Sequence, residues 1–207
     1  MKKVRNALIN KSKDRFADVD FDSPVYVISD EQPEITFAKN FTALTGKFAF
    51  CESTAEFIQI LKELIRANNK DEIFCLEEQV KDILNAGGIR FSDNPADLTN
   101  YKIGITLCES LITRTGSILI SSKQTAGRRL PVFPDIHIVL AFTSQLVADI
   151  KDALNAIREK YPSKIPSMIS MITGPSRTAD IEKTLIIGAH GPKEIYVFLI
   201  DNNHHNA

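Results

Sequence analysis

Short apolar runs alternate with amphipathic stretches along most of this chain. The runs that favour β-strands lie at residues 47–51, 73–76, 101–107, 118–121, 137–142 and 194–200. After the first run, Ser53 precedes Glu56 by three residues, which is the capping-box pattern of a helix start. Apolar residues then recur at helical spacing up to Ile65. A second helix is predicted over residues 77–84 and ends at the glycine pair that follows.

This alternation of strand and helix predicts an α/β fold with a mainly parallel sheet flanked by helices, in a single domain. We place that domain at residues 21–201, after an N-terminal helical segment at residues 1–20 and before a polar tail at residues 202–207. The domain opens with a short strand at residues 25–28 and a helix at residues 35–44 that Gly46 ends. The His204 and His205 pair in the tail is typical of a disordered end rather than a metal site.

The second half of the chain is predicted to contain a polar loop, a long helix, and a strand followed by a short helix. Residues 122–133 lack an apolar period and form an exposed or ligand-facing loop. Ser144 is positioned to cap a helix that ends at Pro162. An apolar run at residues 168–173 forms a buried strand that leads into the turn at Gly174, and residues 178–187 form a short helix that Gly188 ends.

The Gly174 turn carries the chemistry most typical of an anion site. A helix N-terminus presents unpaired backbone N–H groups, and Ser176, Arg177 and Thr178 would add two hydroxyls and a guanidinium beside them. That combination suits a phosphate or a carboxylate. The alternative is an ordinary turn in which Arg177 pairs with Asp180 or Glu182.

Three polar segments follow predicted strands, at residues 108–117, 122–129 and 174–180. Ligands of parallel α/β sheets bind at the carboxyl ends of the strands, so we expect these segments to converge on one pocket. The ligand-binding residues predicted for it are Thr115, Gly116, Arg128, Gly174, Ser176, Arg177 and Thr178. Arg114 and Arg129 are further cations that the same loops would bring close.

Acid–base candidates are few. Glu109 is the carboxylate in these loops that would serve as a base or nucleophile, and its alternative role is a hydrogen bond to a neighbouring loop. His190 lies in a tight Gly-Pro turn and would donate to a ligand or act as an acid–base group. His137 begins a strand and is interpreted as structural. With no ligand spacing among the histidines, no metal site is predicted.

Composition limits the remaining classes. The 207 residues carry a net charge of −1 and no basic tract typical of nucleic-acid binding. No stretch is long and apolar enough for a membrane span, and the basic N-terminus lacks the apolar segment of a signal peptide, so we expect a cytoplasmic protein. Cys51, Cys75 and Cys108 are too few and too far apart for an iron–sulfur cluster, and the first two lie in apolar runs typical of buried cysteines.

Two blocks of this sequence resemble a known family. The segment from Gly174 to Glu182 and the Gly188-Ala-His-Gly-Pro192 turn are similar to the C-terminal signature of LUD-domain proteins, in particular the C-type subunits of bacterial lactate-utilisation (Lut) systems. The likeness extends upstream through Pro134–His137, Thr115–Ser117 and Gly104–Thr106. Many relatives carry a glutamate where this chain has Arg114, so an acid role does not transfer to that position.

The resemblance implies a fold like that of the sugar-phosphate isomerase, CoA-transferase and formyltetrahydrofolate cyclo-ligase group, whose members bind anionic substrates. It also implies an accessory subunit of a complex that oxidises L-lactate to pyruvate. The chain would carry no cofactor and would work with Cys-rich partner subunits that hold iron–sulfur clusters. The alternative is a stand-alone enzyme acting on a sugar phosphate, an acyl-CoA or a folate-like substrate.

Overall fold

A parallel sheet of six strands organises the fold. The computed structural model describes residues 31–68, 73–181, 184–188 and 190–202, so the predicted N-terminal helix, the strand at residues 25–28 and the last five residues lie outside the described part. The helices are α1 (Pro33–Ala43), α2 (Thr54–Ala67), α3 (Glu78–Ala86) and α4 (Ile150–Lys160). Short 3₁₀ turns occur at Pro95–Asn100 and Thr143–Gln145.

The twelve described strands form three sheets. They are β1 (Lys47–Cys51), β2 (Ile73–Cys75), β3 (Phe91–Ser92), β4 (Ile103–Thr106), β5 (Ser110–Ile112), β6 (Ser117–Ser121), β7 (Ile136–Phe142), β8 (Leu146–Val147), β9 (Ile169–Ile172), β10 (Arg177–Ile181), β11 (Thr184–Ile187) and β12 (Glu194–Ile200). The large sheet has the order β1-β12-β7-β4-β2-β3, and each neighbouring pair is parallel. The predicted mainly parallel α/β fold is confirmed.

The two faces of the parallel sheet are covered differently. Helices α2 and α3 pack on one face, where Phe57, Leu61 and Leu84 are fully buried against the strands. On the other face, Phe37 and Phe41 of α1 share a core with residues of β5, β6, β7 and β12. Both faces of a parallel sheet must be buried, which explains why its strands read as continuous apolar runs.

A second sheet completes that other face. Its order is β8-β5-β6-β9, with β6 antiparallel to both β5 and β9 and β8 parallel to β5. Helix α4 covers its outer side through Ala153 and Ile157, which pack with Ile112 and Leu119. The strand predicted at residues 168–173 therefore exists as β9, but its side chains are half-buried or exposed instead of buried, because β9 pairs with only one strand of this smaller sheet.

Helix starts agree with the sequence in one case and differ in another. Glu56 N–H donates to Ser53 Oγ at 3.2 Å, which confirms the predicted cap of α2. The cap predicted at Ser144 is wrong, since α4 begins after Asp149, whose N–H donates to Asp152 Oδ2 at 3.1 Å. The residues from 143 to 147 instead form a 3₁₀ turn and strand β8, which pairs with β5 and so cannot be helical.

The helix predicted at residues 178–187 is also wrong. The chain there forms an antiparallel hairpin of β10 and β11, with Arg177 opposite Ile187 and Thr178 opposite Ile186. The β-branched run of β11 favours an extended backbone, and a partner strand within a few residues satisfies its backbone hydrogen bonds. No helix N-terminus therefore follows the Gly174 turn.

Candidate functional site

The Gly174 turn is built from a backbone that only glycine accommodates well. Gly174 has a φ of 89°, and a Cβ added there would lie 2.7 Å from the carbonyl oxygen of Leu44. The turn is held by backbone hydrogen bonds from Ser176 N–H to Pro192 O and from Gly188 N–H to Ser176 O, both 3.0 Å long. The two Gly-Pro segments that the sequence singles out therefore lie side by side.

A cavity of about 330 Å³ opens beside this turn. Arg128, Ser176 and His190 line it together with Gly174, and the apolar walls come from strands β6, β9 and β12. Three of the predicted polar side chains therefore share one space. Its place in the fold differs from our expectation, because Pro192 and Ile195 lie at the amino end of β12 and not at the carboxyl edge of the parallel sheet.

Arg177 is not among the described residues that line this cavity. Its Nη2 atom donates to Leu44 O at 2.9 Å and to Thr45 Oγ1 at 2.7 Å, although the side chain is exposed. Thr45 is the residue with positive φ (65°) after α1, so the arginine ties the Gly174 turn to the end of that helix. The sequence predicts a helix N-terminus that binds an anion together with Arg177. The structure has strand β10 there instead, and both Arg177 and Thr178 belong to that strand.

The turn at residues 113–116 serves to dock helix α1. Asn40 Nδ2 donates to the backbone oxygens of Thr113 at 2.8 Å and Arg114 at 3.2 Å. Gly116 has a φ of 59°, and a Cβ there would lie 2.5 Å from the backbone nitrogen of Phe41. The structure therefore places Thr115 and Gly116 against α1 and not on the wall of the Gly174 cavity.

The other two arginines of the predicted pocket have partners of their own. Arg114 Nη2 donates to Asp149 Oδ1 at 2.7 Å, and this hydrogen bond is the main cause that lowers the pKa of Asp149. The guanidinium of Arg129 lies 5.1 Å from the centre of the Phe133 ring. The three predicted loops thus do not bring their arginines together, and among them Arg128 is the one that reaches the cavity.

Glu109 is the centre of a buried hydrogen-bond network. Its Oε1 atom accepts from Ser121 Oγ at 2.6 Å and from Tyr161 Oη at 3.0 Å, and its Oε2 atom accepts from Lys160 Nζ at 2.8 Å. The side chain is only 2% exposed. This carboxylate accepts hydrogen bonds from three donors and has almost no accessible surface. These properties fit the alternative role predicted for Glu109, a hydrogen bond to a neighbouring segment, better than they fit attack on a substrate.

The network also defines the charge states of its donors. Burial tends to lower the pKa of Lys160, but the hydrogen bond and charge of Glu109 outweigh it, so the pKa is raised and the ammonium is retained. Burial and the Glu109 hydrogen bond both raise the pKa of Tyr161, which keeps the phenol protonated as a donor. The carboxylate therefore fixes one cation and one hydroxyl at the end of α4.

His137 is structural, as the sequence indicated. It is fully buried in β7, and its Nε2 atom lies 2.9 Å from Thr106 Oγ1 on the neighbouring strand β4. Burial lowers the pKa of the imidazole to about 4, because the interior disfavours the charged ring. His190, by contrast, is exposed at the cavity rim.

The three cysteines are free thiols in the core, which confirms the interpretation of Cys51 and Cys75 as buried. Burial raises the pKa of Cys51 to about 11 and that of Cys75 to about 12, and it also raises the pKa of Cys108. Such thiols are poor metal ligands and nucleophiles. Within the described ranges, no group of three or more His, Cys, Asp or Glu side chains is arranged to hold a metal ion, and no helix there is long and apolar enough to cross a membrane.

Sequence reasoning missed the partners of Glu109. The sequence places Lys160 and Tyr161 at the end of a helix and Ser121 at the end of a strand, and Ser121 precedes them by 39 residues or more. Nothing local in the sequence couples residues so far apart. A weak signal was the acidic side chain placed directly after an apolar strand, where a buried charge requires distant partners.

Comparison with known proteins identifies the family. The family model described as LUD domain matches residues 36–200, which is most of the chain. The chain therefore belongs to the LUD-domain family. In structure it is similar to a DUF162 family protein from Deinococcus radiodurans, with a TM-score of 0.60 over 81% of this chain and 96% of the other at 18% identity, which supports the fold alone.

Several relatives carry names that refer to lactate. The chain is 32% identical to lactate utilization protein C of Anoxybacillus flavithermus over 124 residues, which cover 59% of this chain and 55% of the relative. It is 34% identical to lactate utilization protein C of Bacillus subtilis over 102 residues, or 48% of this chain and 42% of the relative. The chain thus spans about half the length of these relatives. It is 27% identical to the uncharacterized protein YkgG of Escherichia coli over 73% of each chain.

Proposed function

We propose that this protein is an accessory subunit of a lactate-utilisation system and that it binds a small anionic ligand in the Gly174 cavity. The LUD-domain membership and the relatives named lactate utilization protein C support the first part. The second part rests on the observation that Arg128, Ser176 and His190 line the same cavity. A guanidinium, a hydroxyl and an imidazole are all donors that a carboxylate or phosphate accepts.

Arg128 is the cation of this proposed site. Its Nη2 atom donates to Ser167 Oγ at 2.8 Å, which holds one end of the guanidinium while the side chain stays exposed. Arginine presents five N–H donors, so this bond leaves others for a ligand. The volume of about 330 Å³ lies at the lower end of the range for ligand pockets, which suits a small molecule.

In the proposed complex this chain does not carry the electrons. Oxidation of L-lactate to pyruvate releases two electrons and two protons, and we assign the electron acceptors to iron–sulfur clusters on Cys-rich partner subunits. The buried thiols with raised pKa values support this assignment, because they offer no exposed thiolates for a cluster. The buried, fully hydrogen-bonded Glu109 likewise favours an accessory role over a stand-alone enzyme.

The test compares two exposed, neighbouring arginines, Arg128 and Arg129. Calorimetry with pyruvate and inorganic phosphate should show binding to the wild type that Arg128→Ala weakens about 10-fold to 100-fold, the amount expected for lost charge-assisted hydrogen bonds. Arg129→Ala is the matched control and should bind as the wild type does, because Arg129 lies against Phe133 and does not line the cavity. Lactate-dependent dye reduction by the purified partner subunits should require the wild-type chain, and Arg129→Ala should replace it where Arg128→Ala does not.

Two results would contradict the proposal. Dye reduction that proceeds equally well without this chain would exclude the accessory role. Equal affinity of wild type and Arg128→Ala for every anion that binds would exclude the Gly174 cavity as the site.

A further inference from the structure

A second cavity, of about 320 Å³, lies at the carboxyl edge of the parallel sheet. Leu107, Cys108 and Phe142 line its floor, and they lie at or just after the ends of β4 and β7. Glu77, which lies just after β2, adds a carboxylate to the wall. This is the edge at which parallel sheets bind ligands, and the Gly174 cavity lies at the other edge.

The wall of this carboxyl-edge cavity presents charges of both signs. Lys123 and Lys160 supply two ammonium groups and Glu77 one carboxylate. The two lysine nitrogens lie 5.7 Å and 5.4 Å from the centre of the Tyr161 ring. Lys160 is held by Glu109 beneath the wall. Lys123 makes no ion pair with a carboxylate in the part of the chain that the structure describes, so its charge is available to a bound molecule.

The amide groups on the wall are fixed by the fold. Gln145 is fully engaged, since its Nε2 donates to Cys108 O at 2.7 Å and its Oε1 accepts from Phe142 N–H at 2.8 Å. Gln124 Oε1 accepts from Ser121 N–H at 2.9 Å, while its buried Nε2 lacks a hydrogen-bond partner among the described residues. Both amides are therefore fixed parts of the wall, and the Gln124 Nε2 atom is enclosed by protein atoms.

The remaining acceptor is Glu77. The residue is 5% exposed, and its Oε1 atom accepts from Ala126 N–H at 3.1 Å, which fixes the carboxylate at the cavity wall. A carboxylate accepts hydrogen bonds but donates none, so a molecule that lies against it must bring a donor. The wall therefore favours a ligand that carries both an anionic group and an O–H group.

We propose that the carboxyl-edge cavity is a second ligand site, for a small carboxylate with a hydroxyl on the adjacent carbon. The ligand carboxylate lies toward Lys123, and its hydroxyl donates to Glu77. Among the residues of the wall, Lys160 is already paired with Glu109, so Lys123 is the cation left for the ligand and the site disfavours a dianion such as the doubly charged form of phosphate. This inference rests on the cavity wall and goes beyond the proposed function, which concerns the Gly174 cavity.

The test uses L-lactate as a probe, with acetate as the analogue without a hydroxyl. L-Lactate should shift the NMR signals of the Gln124 and Gln145 side-chain amides, and acetate should need an at least 10-fold higher concentration for the same shift. Lys123→Ala should weaken the L-lactate effect about 10-fold to 100-fold, as expected for one charge-assisted interaction. Lys151→Ala, an exposed lysine on α4, is the matched control and should leave it unchanged.

Two results would overturn this site. One is an equal response of wild type and Lys123→Ala, and the other is acetate or phosphate binding there as tightly as L-lactate. The Arg128→Ala variant separates this failure from that of the proposed function. It should leave the Gln124 and Gln145 shifts intact, and lactate binding lost in Arg128→Ala but kept in Lys123→Ala would support the Gly174 cavity alone.

Discussion

The two cavities lie at opposite edges of one sheet and are built in different ways. At the Gly174 cavity the backbone is rigid, with two Gly-Pro segments hydrogen-bonded to each other, but Arg128 and His190 are exposed. At the carboxyl-edge cavity a carboxylate that is only 2% exposed holds Lys160 and Tyr161 in place. One cavity has a fixed backbone frame with exposed donors, and at the other a buried carboxylate positions part of the wall.

This difference decides where binding free energy is spent. Ordering an exposed arginine costs about 0.5–1.5 kcal/mol of side-chain entropy when a ligand arrives. A side chain that a buried carboxylate already orders has lost that entropy on folding. We therefore expect the Gly174 cavity to adapt to several anions and the carboxyl-edge cavity to discriminate between them.

The largest predicted effect is a loss of stability at low pH, and it concerns the parallel sheet that both cavities share. His137 has a pKa of about 4 in the folded protein against 6.5 for an ordinary histidine, so the unfolded chain binds more protons between these pH values. Stability is then complete above pH 6.5 and is lost as the pH falls toward 4, by up to about 3 kcal/mol. Urea unfolding at pH 7 and pH 5 measures this loss.

In His137→Gln the same pH change should cost much less than in the wild type, because the buried titrating ring is gone. His190→Gln changes an exposed ring and should keep the wild-type profile. Identical pH profiles of wild type and His137→Gln would show that His137 does not govern the acid sensitivity of the sheet.

The next effect separates the two cavities. Glu109→Ala leaves Ser121 and Tyr161 without their acceptor and should lower the free energy of unfolding by about 2–3 kcal/mol. Lys160 adds little to this cost because its side chain is 58% exposed and can be hydrated. Chemical denaturation measures the loss, with Glu159→Ala on the same helix as a near-neutral control.

The Glu109→Ala variant should also lose lactate-induced shifts at Gln124 and Gln145 while anion binding that depends on Arg128 persists. Loss of both together would mean that the two cavities are coupled through the small sheet and are not independent sites.

The smallest effect belongs to the frame of the Gly174 cavity. Gly174→Ala meets both a positive φ and the Leu44 oxygen at 2.7 Å, and it should cost about 2 kcal/mol. Gly88→Ala shares the positive φ (63°) but has no atom within 4 Å of the added Cβ, so it should cost about 1 kcal/mol. Thermal unfolding compares the two.

The comparison of the two glycine variants isolates the contact with α1 from the backbone strain. Only Gly174→Ala should weaken anion binding at its cavity. Equal costs for both variants would mean that the turn moves away from Leu44 without loss.

Strands were predicted well where the signal is local. The runs that became β7 and β12 are apolar over most of their length, because both faces of the parallel sheet are covered there, and β1 is apolar after Lys47. The predicted cap of α2 is also correct. Glu56 N–H donates to Ser53 Oγ and Glu52 N–H donates to Glu56 Oε2, so both hydrogen bonds form within about one helical turn. These features depend on residues a few positions apart, which a sequence displays directly.

The wrong predictions concern segments whose secondary structure is decided by contacts with distant parts of the chain. Residues 144–149 have an acceptable helix pattern, but pairing with β5 makes part of them β8. Residues 178–187 fit a short helix as well as a hairpin, and the turn that precedes them is fixed by contact with Leu44, 130 residues earlier in the chain. The helix and strand propensities of these residues are too similar to decide between the two structures, and tertiary contacts stabilise the strand.

The sequence by itself determined the α/β class, the main strands of the parallel sheet, the burial of Cys51 and Cys75 and the glycine-rich turn that marks the family. The tertiary structure alone decided that Arg128, and not Arg177, reaches the Gly174 cavity. It also decided that Glu109 gathers three donors from β6 and the end of α4. Periodicity and turn chemistry act over a few residues, whereas the partner of a charged side chain is set by which segments the packed core brings together.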